Sequence, residues 1–137
     1  MPYKEKDLTA DFSKYLRTNP DATKIKFTFG VEFKCKHGKE KLHLIRDFQS
    51  QQLPALLQTA HSCVYVKQSD MSLGLKCYDA MQICYSPAFV GVMWYKPRQP
   101  KLLYLIDIRD IDHIMQNKCV TLTEEEASKL AVFTIKL

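Results

Sequence analysis

Glycine is scarce in this chain. Its four glycines stand apart from one another, so no glycine-rich loop is present to cradle the phosphates of a nucleotide. There is no Gly-x-Ser-x-Gly nucleophile elbow. The four histidines, His37, His43, His61 and His113, lack zinc-site spacing. A Cys/His nucleophile pair stays open, because such partners meet in space and not in sequence. No apolar run is long enough to span a bilayer. The opening residues, MPYKEKDLTADF, are polar and charged and predict no signal peptide. The five cysteines are odd in number and include no Cys-x-x-Cys pair. That predicts no disulfide framework and a reducing compartment, with a cytoplasmic location. There is no internal repeat and no low-complexity tract.

What is present suits one soluble domain over residues 1–137. The length allows a real core, and 46% hydrophobic with 26% charged residues is an ordinary globular balance. The net charge of +5 is uneven. Between Lys14 and Arg46 nine Lys or Arg face three acids, whereas from Lys101 onward five face six. A basic half raises the expectation of a polyanionic partner, with plain solubility as the blander account.

The clearest pattern is TKIKFTFGVEFKCK, residues 23–36. Ile25, Phe27, Phe29, Val31, Phe33 and Cys35 share one parity, and Lys24, Lys26, Glu32, Lys34 and Lys36 share the other. The alternation predicts a long β-strand with one buried apolar face. Before it, residues 4–17 predict a helix on the stripe Leu8, Phe12, Tyr15 and Leu16, stopped by Asn19-Pro20-Asp21. Residues 42–48 predict a loop or short extended piece. Residues 48–60 predict a second helix, regular from about Gln51 because Pro54 is best tolerated in a first turn. Strands are expected over 62–67, 79–85, 88–95 and 102–108, with KPRQPK as a hairpin tip. Residues 108–117 predict a short helix, and TLTEEE opens another with Thr123 as N-cap and Glu126 closing a capping box. Residues 132–137 read as an edge strand or tail. Helices against several strands give a mixed α/β (α+β) fold, a central mixed sheet flanked by helices.

Chemistry concentrates on the polar face of the long strand. Glu32 and Lys34 lie two residues apart and point the same way. A carboxylate can hold a divalent cation and a neighbouring ammonium can steer a water or a phosphate, a combination suited to cutting a phosphodiester. On this segment alone, a solvated charged face is the plainer account. Glu5, Asp21, Asp70 and Asp79 are the further acids that could join Glu32. Lys24, Lys26, Lys36, Lys39 and Lys41 form a row along or just past the strand. A row of this kind suits contact with a phosphate backbone without base reading. Lys96, Arg98 and Lys101 at the hairpin tip are further candidates. Trp94, Tyr95 and Tyr104 are expected in the core or an interface.

The sequence also carries Pro20-Asp21, a ten-residue spacer, then Glu32-Phe33-Lys34. Around this lie VEFKCK, FQSQQLPALL, VYVKQSDMSLG, KCYDAM and AFVGVMWYKPRQPKLLYLIDI. Together, over roughly residues 28–112, these resemble the PD-(D/E)xK nuclease superfamily. They are most similar to the small phage and bacterial Holliday-junction-resolvase-like endonucleases, with their FELK strand, hQ..AL helix, K.sD and KPFD segments and apolar hairpin. The resemblance implies a restriction-endonuclease-like sheet. It implies Glu32 as metal ligand, Lys34 as catalytic lysine and Gln52 as a helix residue facing the active site. Glu5 resembles the first-helix Glu of archaeal-type resolvases. For the metal-binding Asp it favours Asp79, with Asp70 and Asp21 as rivals; Cys77 and Tyr78 depart from KPFD. It further implies Mg²⁺ (or Mn²⁺), no nucleotide cofactor, no membrane association, a homodimer, branched DNA as substrate and a bacterial or phage-infected host cell. The expected activity is structure-specific cleavage of DNA. The alternatives are a less selective nuclease on duplex or flap DNA and a non-catalytic nucleic-acid-binding module on the same fold.

Overall fold

A computed structural model describes residues 2–19, 29–69 and 78–137, with the backbone course alone for 64–69 and 78–83. The first helix, α1 (Glu5–Thr18), opens with Asp7 accepting a hydrogen bond from the Lys4 amide at 2.8 Å. A carboxylate there also suits the positive end of the helix dipole. α1 ends at Asn19, just ahead of the proline expected to stop it. Its buried residues, Leu8 and Phe12, belong to the stripe read from the sequence.

β1 (Gly30–His37) falls within the long strand expected from the alternation; residues 23–28 of that expectation lie outside the described residues. β2 (Leu42–His43) follows, then α2 (Gln52–His61). Pro54 falls in the first turn of α2, where its missing N–H costs no intrahelical bond. β3 (Cys63–Ser69) and β4 (Tyr78–Cys84) form an antiparallel two-stranded sheet. β5 (Ala88–Tyr95) and β6 (Leu102–Asp107) form the expected apolar hairpin. α3 (Ile108–Gln116), β7 (Thr121–Leu122), α4 (Glu124–Leu130) and β8 (Phe133–Lys136) complete the chain. The main sheet has the order β1-β5-β6-β8, with β1 parallel to β5 and the other pairs antiparallel. A parallel pair needs a long crossover, and α2 with the β3–β4 sheet lies within it. The mixed sheet with flanking helices is the α+β architecture expected from the alternation.

Each face of the main sheet carries its own core. On one, α1 packs with Phe89, Met93, Leu103 and Leu105 against Phe33 and Val31. On the other, α2, α3 and α4 cover Val90, Val92, Trp94, Tyr104 and Ile106. β5 is therefore buried on both sides, which explains its unbroken apolar run. Trp94 and Tyr104 are core residues, as expected, and stack edge to face.

Three expectations need correction. Cys63 and Cys84 form a disulfide, although the cysteine pattern predicts none. The two residues face each other across β3 and β4, which brings positions 21 apart in sequence to a Cα separation of 4.0 Å. Residues 121–122 do not open a helix: Thr121 and Leu122 pair with His43 and Leu42, and α4 starts only at Glu124. The capping box itself is as expected, with Thr123 Oγ1 accepting from the Glu126 amide and Glu126 Oε2 accepting from the Thr123 amide. Finally, the polar face of β1 is not a solvated face. Lys34 is 7% exposed. Parallel pairing sets Glu32, Lys34 and Lys36 beside Val90, Val92 and Trp94, so that face looks into the α2-side core.

Candidate functional site: a buried lysine between two carboxylates

β1 fixes Glu32 and Lys34 on one face, and α2 brings Gln52 over them. Glu32 Oε1 accepts two hydrogen bonds, from Gln52 Nε2 at 2.6 Å and from Lys34 Nζ at 3.1 Å. Gln52 is itself oriented: its Oε1 accepts from the Gln49 amide at 2.8 Å, just ahead of the helix. From the first turn of α1, Glu5 brings a second carboxylate to 3.7 Å from Lys34 Nζ. The Phe48 ring lies 5.0 Å from the same ammonium, within cation–π range. Lys34 is thus held by two acids and an aromatic ring, with 9% of its side chain exposed.

Burying an ammonium is costly unless it is paired and hydrogen-bonded. The pairing here meets that cost with groups that can also act on a substrate. The side chain of Glu5 is half exposed, so the cluster opens to solvent at the α1 end. Glu32 and Glu5 are oxygen donors of the kind Mg²⁺ takes, usually one or two carboxylates completed by water and phosphate oxygens. Among the described residues no group of three or more His, Cys, Asp or Glu could hold a metal ion.

The other expected residues fall into distinct places. Asp21, Lys24, Lys26 and Asp70 lie outside the described residues. Asp79 sits opposite Gln68 in the β3–β4 sheet, which is separate from the sheet that carries Glu32. Lys36 pairs with Asp47 at 2.7 Å. Lys39 and Lys41 are exposed near the end of β1. Of the three hairpin-tip cations, Arg98 is the exposed one. Lys96 pairs with Glu124, and Lys101 pairs with Asp11 at 2.6 Å while lying over the Tyr3 ring.

Two residues that shape this face were not read from the sequence. Phe48 looked like one more apolar position of a helix, yet it lies just before α2 under the Lys34 ammonium. Asp47 looked like a loop acid. Its Oδ2 accepts from the His43 amide at 2.8 Å and from Lys36. Burial pushes the Asp47 carboxyl up, but those two hydrogen bonds hold it below the ordinary range. The i to i+4 spacing of His43 and Asp47 was the available signal. Comparison with protein-family models, with curated proteins and with solved structures yields no match for this chain.

Proposed function

We propose that the protein is a Mg²⁺-dependent endonuclease that hydrolyses phosphodiester bonds in DNA, with four-way junctions as its preferred substrate. The observation that carries this reading is the buried Lys34, held between Glu32 and Glu5, with Gln52 fixing the shared Glu32 oxygen. A structural lysine on a half-covered sheet face would normally extend to water; this one is drawn inward to two carboxylates. Hydrolysis needs a water oxygen to form a new P–O bond while an existing P–O ester bond breaks and its oxygen takes a proton. A divalent ion held by Glu32 and Glu5 would supply Lewis acidity toward the phosphate. Lys34 would leave its carboxylates to steer the attacking water or to balance charge on the phosphate. Gln52 keeps Glu32 in one rotamer while this happens. Two symmetric cuts across a junction need two sites, which a two-fold homodimer supplies. DNA as substrate puts the working compartment in the cytoplasm, where thiols are kept reduced. The Cys63–Cys84 disulfide runs against that placement, because such bonds persist in oxidising surroundings.

The test is incubation of the purified protein with a fixed four-way junction, a flap and a linear duplex, with Mg²⁺ and with EDTA. Mg²⁺-dependent cutting of the junction ahead of the other two supports the reading. Equal cutting of all three removes the junction preference. No cutting of any substrate, or an undiminished rate in Lys34→Ala, removes the catalytic role.

A further inference from the structure

One residue pair along β1 from Lys34 the polar face runs into a second concave site, and we propose that it holds a single phosphate of the DNA backbone next to the one being cut. The inference rests on the nuclease reading for the identity of its ligand. The cleft has a volume of about 320 Å³ and is lined by Lys36, Lys41, His43, Arg46, Thr121 and Glu40. Same-face residues two apart on a strand are separated by about 7 Å, so Lys36 carries the row of cations from the cutting site directly into the cleft.

The donors are organised rather than merely gathered. His43 Nδ1 accepts from the Arg46 amide at 3.1 Å and from the Ile45 amide at 3.4 Å. With that nitrogen committed as acceptor, Nε2 carries the ring proton and is the one left to donate. Pairing of β2 with β7 sets the Thr121 hydroxyl across from His43. Asp47 holds Lys36 at 2.7 Å and lies 3.5 Å from Arg46 Nε. This anchors one end of each cation. An ammonium has three donors and a guanidinium five, so both keep N–H groups for a ligand.

The acids of the cleft are already engaged. Asp47 is committed as above, and Glu40 Oε2 accepts from the His37 amide at 3.2 Å. The lining sets Lys36, Lys41 and Arg46 against the one acid Glu40, so the cleft is net positive and suits an anion. On the nuclease reading, that anion is an internal phosphate of the DNA backbone.

The experiment is fluorescence anisotropy of a labelled four-way junction, titrated over a range of salt in EDTA. It is run with the full chain, with Arg46→Ala and with His43→Asn. Asn is chosen because its side-chain oxygen can replace Nδ1 as acceptor while the Nε2 donor is lost. Thermal unfolding of each variant is recorded alongside. The expected result is roughly tenfold weaker binding for Arg46→Ala, with the slope of log K against log[salt] smaller by about 0.9, the value of one phosphate contact. For His43→Asn, a loss of several-fold with unchanged slope is expected, since an uncharged donor releases no counterion. Variants that unfold like the parent, bind with its affinity and keep its slope overturn the site, even if Lys34→Ala abolishes cleavage. Conversely, weaker binding and a smaller slope in Arg46→Ala sustain the site even if no substrate is cut, in which case only the nuclease reading falls. A labelled oligonucleotide with one methylphosphonate linkage, bound equally by parent and Arg46→Ala where the natural strand is not, identifies the contacted phosphate.

Discussion

The two groups of lysines in this protein look alike in sequence and behave differently in the fold. Lys96 and Lys101 flank a proline-rich hairpin tip and would pass for a phosphate-grasping finger. Both are paired, with Glu124 and Asp11, at the edges of surface clefts, and they fasten the β5–β6 hairpin to α4 and α1. Lys34 and Lys36 lie on a strand whose alternation suggests an ordinary wet face. They are instead nearly covered, each is held by a carboxylate, and Lys36 lines an open cleft. A basic residue count therefore says little about which cations can meet a polyanion. What separates the two groups is burial: Lys96 and Lys101 keep about a third of their side chains exposed, whereas Lys34 and Lys36 keep 9% and 14%.

The strongest way to break this comparison is by activity. Lys34→Ala should lower the rate of junction cleavage by at least ~10²-fold, the scale of a lost proton-transfer or charge-balancing group. Lys101→Ala should alter it only slightly. A large loss in Lys101→Ala, or none in Lys34→Ala, would reverse the roles assigned to the two groups. The next effect lies on the opposite face of β1. Gly91 is opposite Phe33 in the parallel pair, and a Cβ there would come within 2.7 Å of the Phe33 ring. Overpacking of that kind costs about 1–3 kcal/mol. Gly91→Ala should lower the melting temperature by several degrees while leaving DNA affinity unchanged, which separates the packing face of β1 from its working face.

A smaller effect sharpens the hairpin side. The Lys101 hydrogen bond, and after it the Tyr3 hydroxyl, hold the Asp11 carboxyl below its ordinary range against the effect of burial. A depressed carboxyl stabilises the fold above the unfolded value of about 3.9, and that contribution is lost as pH falls through the lower folded value. Both side chains are a third exposed, so screening keeps the contribution to about 0.2–1 kcal/mol. Lys101→Met should be less stable than the parent by that amount near pH 7, with the gap closing below about pH 4. Denaturant unfolding at the two pH values checks it. A gap that persists unchanged at low pH would mean that the ion pair is not its source.

Much of the fold was legible because it depends on periodicity. β5 was read at its observed bounds and α3 and β6 within a residue or two, since a doubly buried strand and an amphipathic helix write their surroundings into the chain. The Thr123–Glu126 capping box was legible because it is local. What the sequence could not show were features set by register. Cys63 meets Cys84 only because β3 and β4 pair with those residues opposite, and nothing in a spacing of 21 announces it. The site was legible as a pair, Glu32 and Lys34, through alternation alone. The family resemblance had pointed to Gln52, which does close on Glu32; that Phe48 and Asp47 would back the two lysines depended on how α2 and the turn before it pack on the sheet. Of the Asp candidates, the favoured Asp79 sits in the separate β3–β4 sheet and its rivals Asp21 and Asp70 lie outside the described residues; Glu5 is the candidate acid found beside Lys34 with Glu32.

The smallest effect tests whether Glu5 is felt through β1 at all. Cys35 lies on the packing face of the strand, and burial pushes its thiol up to about 11, with Glu5 the largest charge contribution in the same direction. Cys119 is exposed. Thiolate, not thiol, reacts with alkylating reagents, so at pH 8 iodoacetamide should modify Cys119 first and leave Cys35 largely unreacted, as read residue by residue from peptide masses. Raising the pH toward 10 should bring Cys35 into reaction while the protein stays folded. In Glu5→Gln the loss of a nearby negative charge should ease thiolate formation, and Cys35 should react a few-fold faster at pH 9 with no change at Cys119. Equal rates in parent and Glu5→Gln would mean that the Glu5 carboxylate points away from the strand in solution, and the second acid beside Lys34 would have to come from elsewhere in the chain.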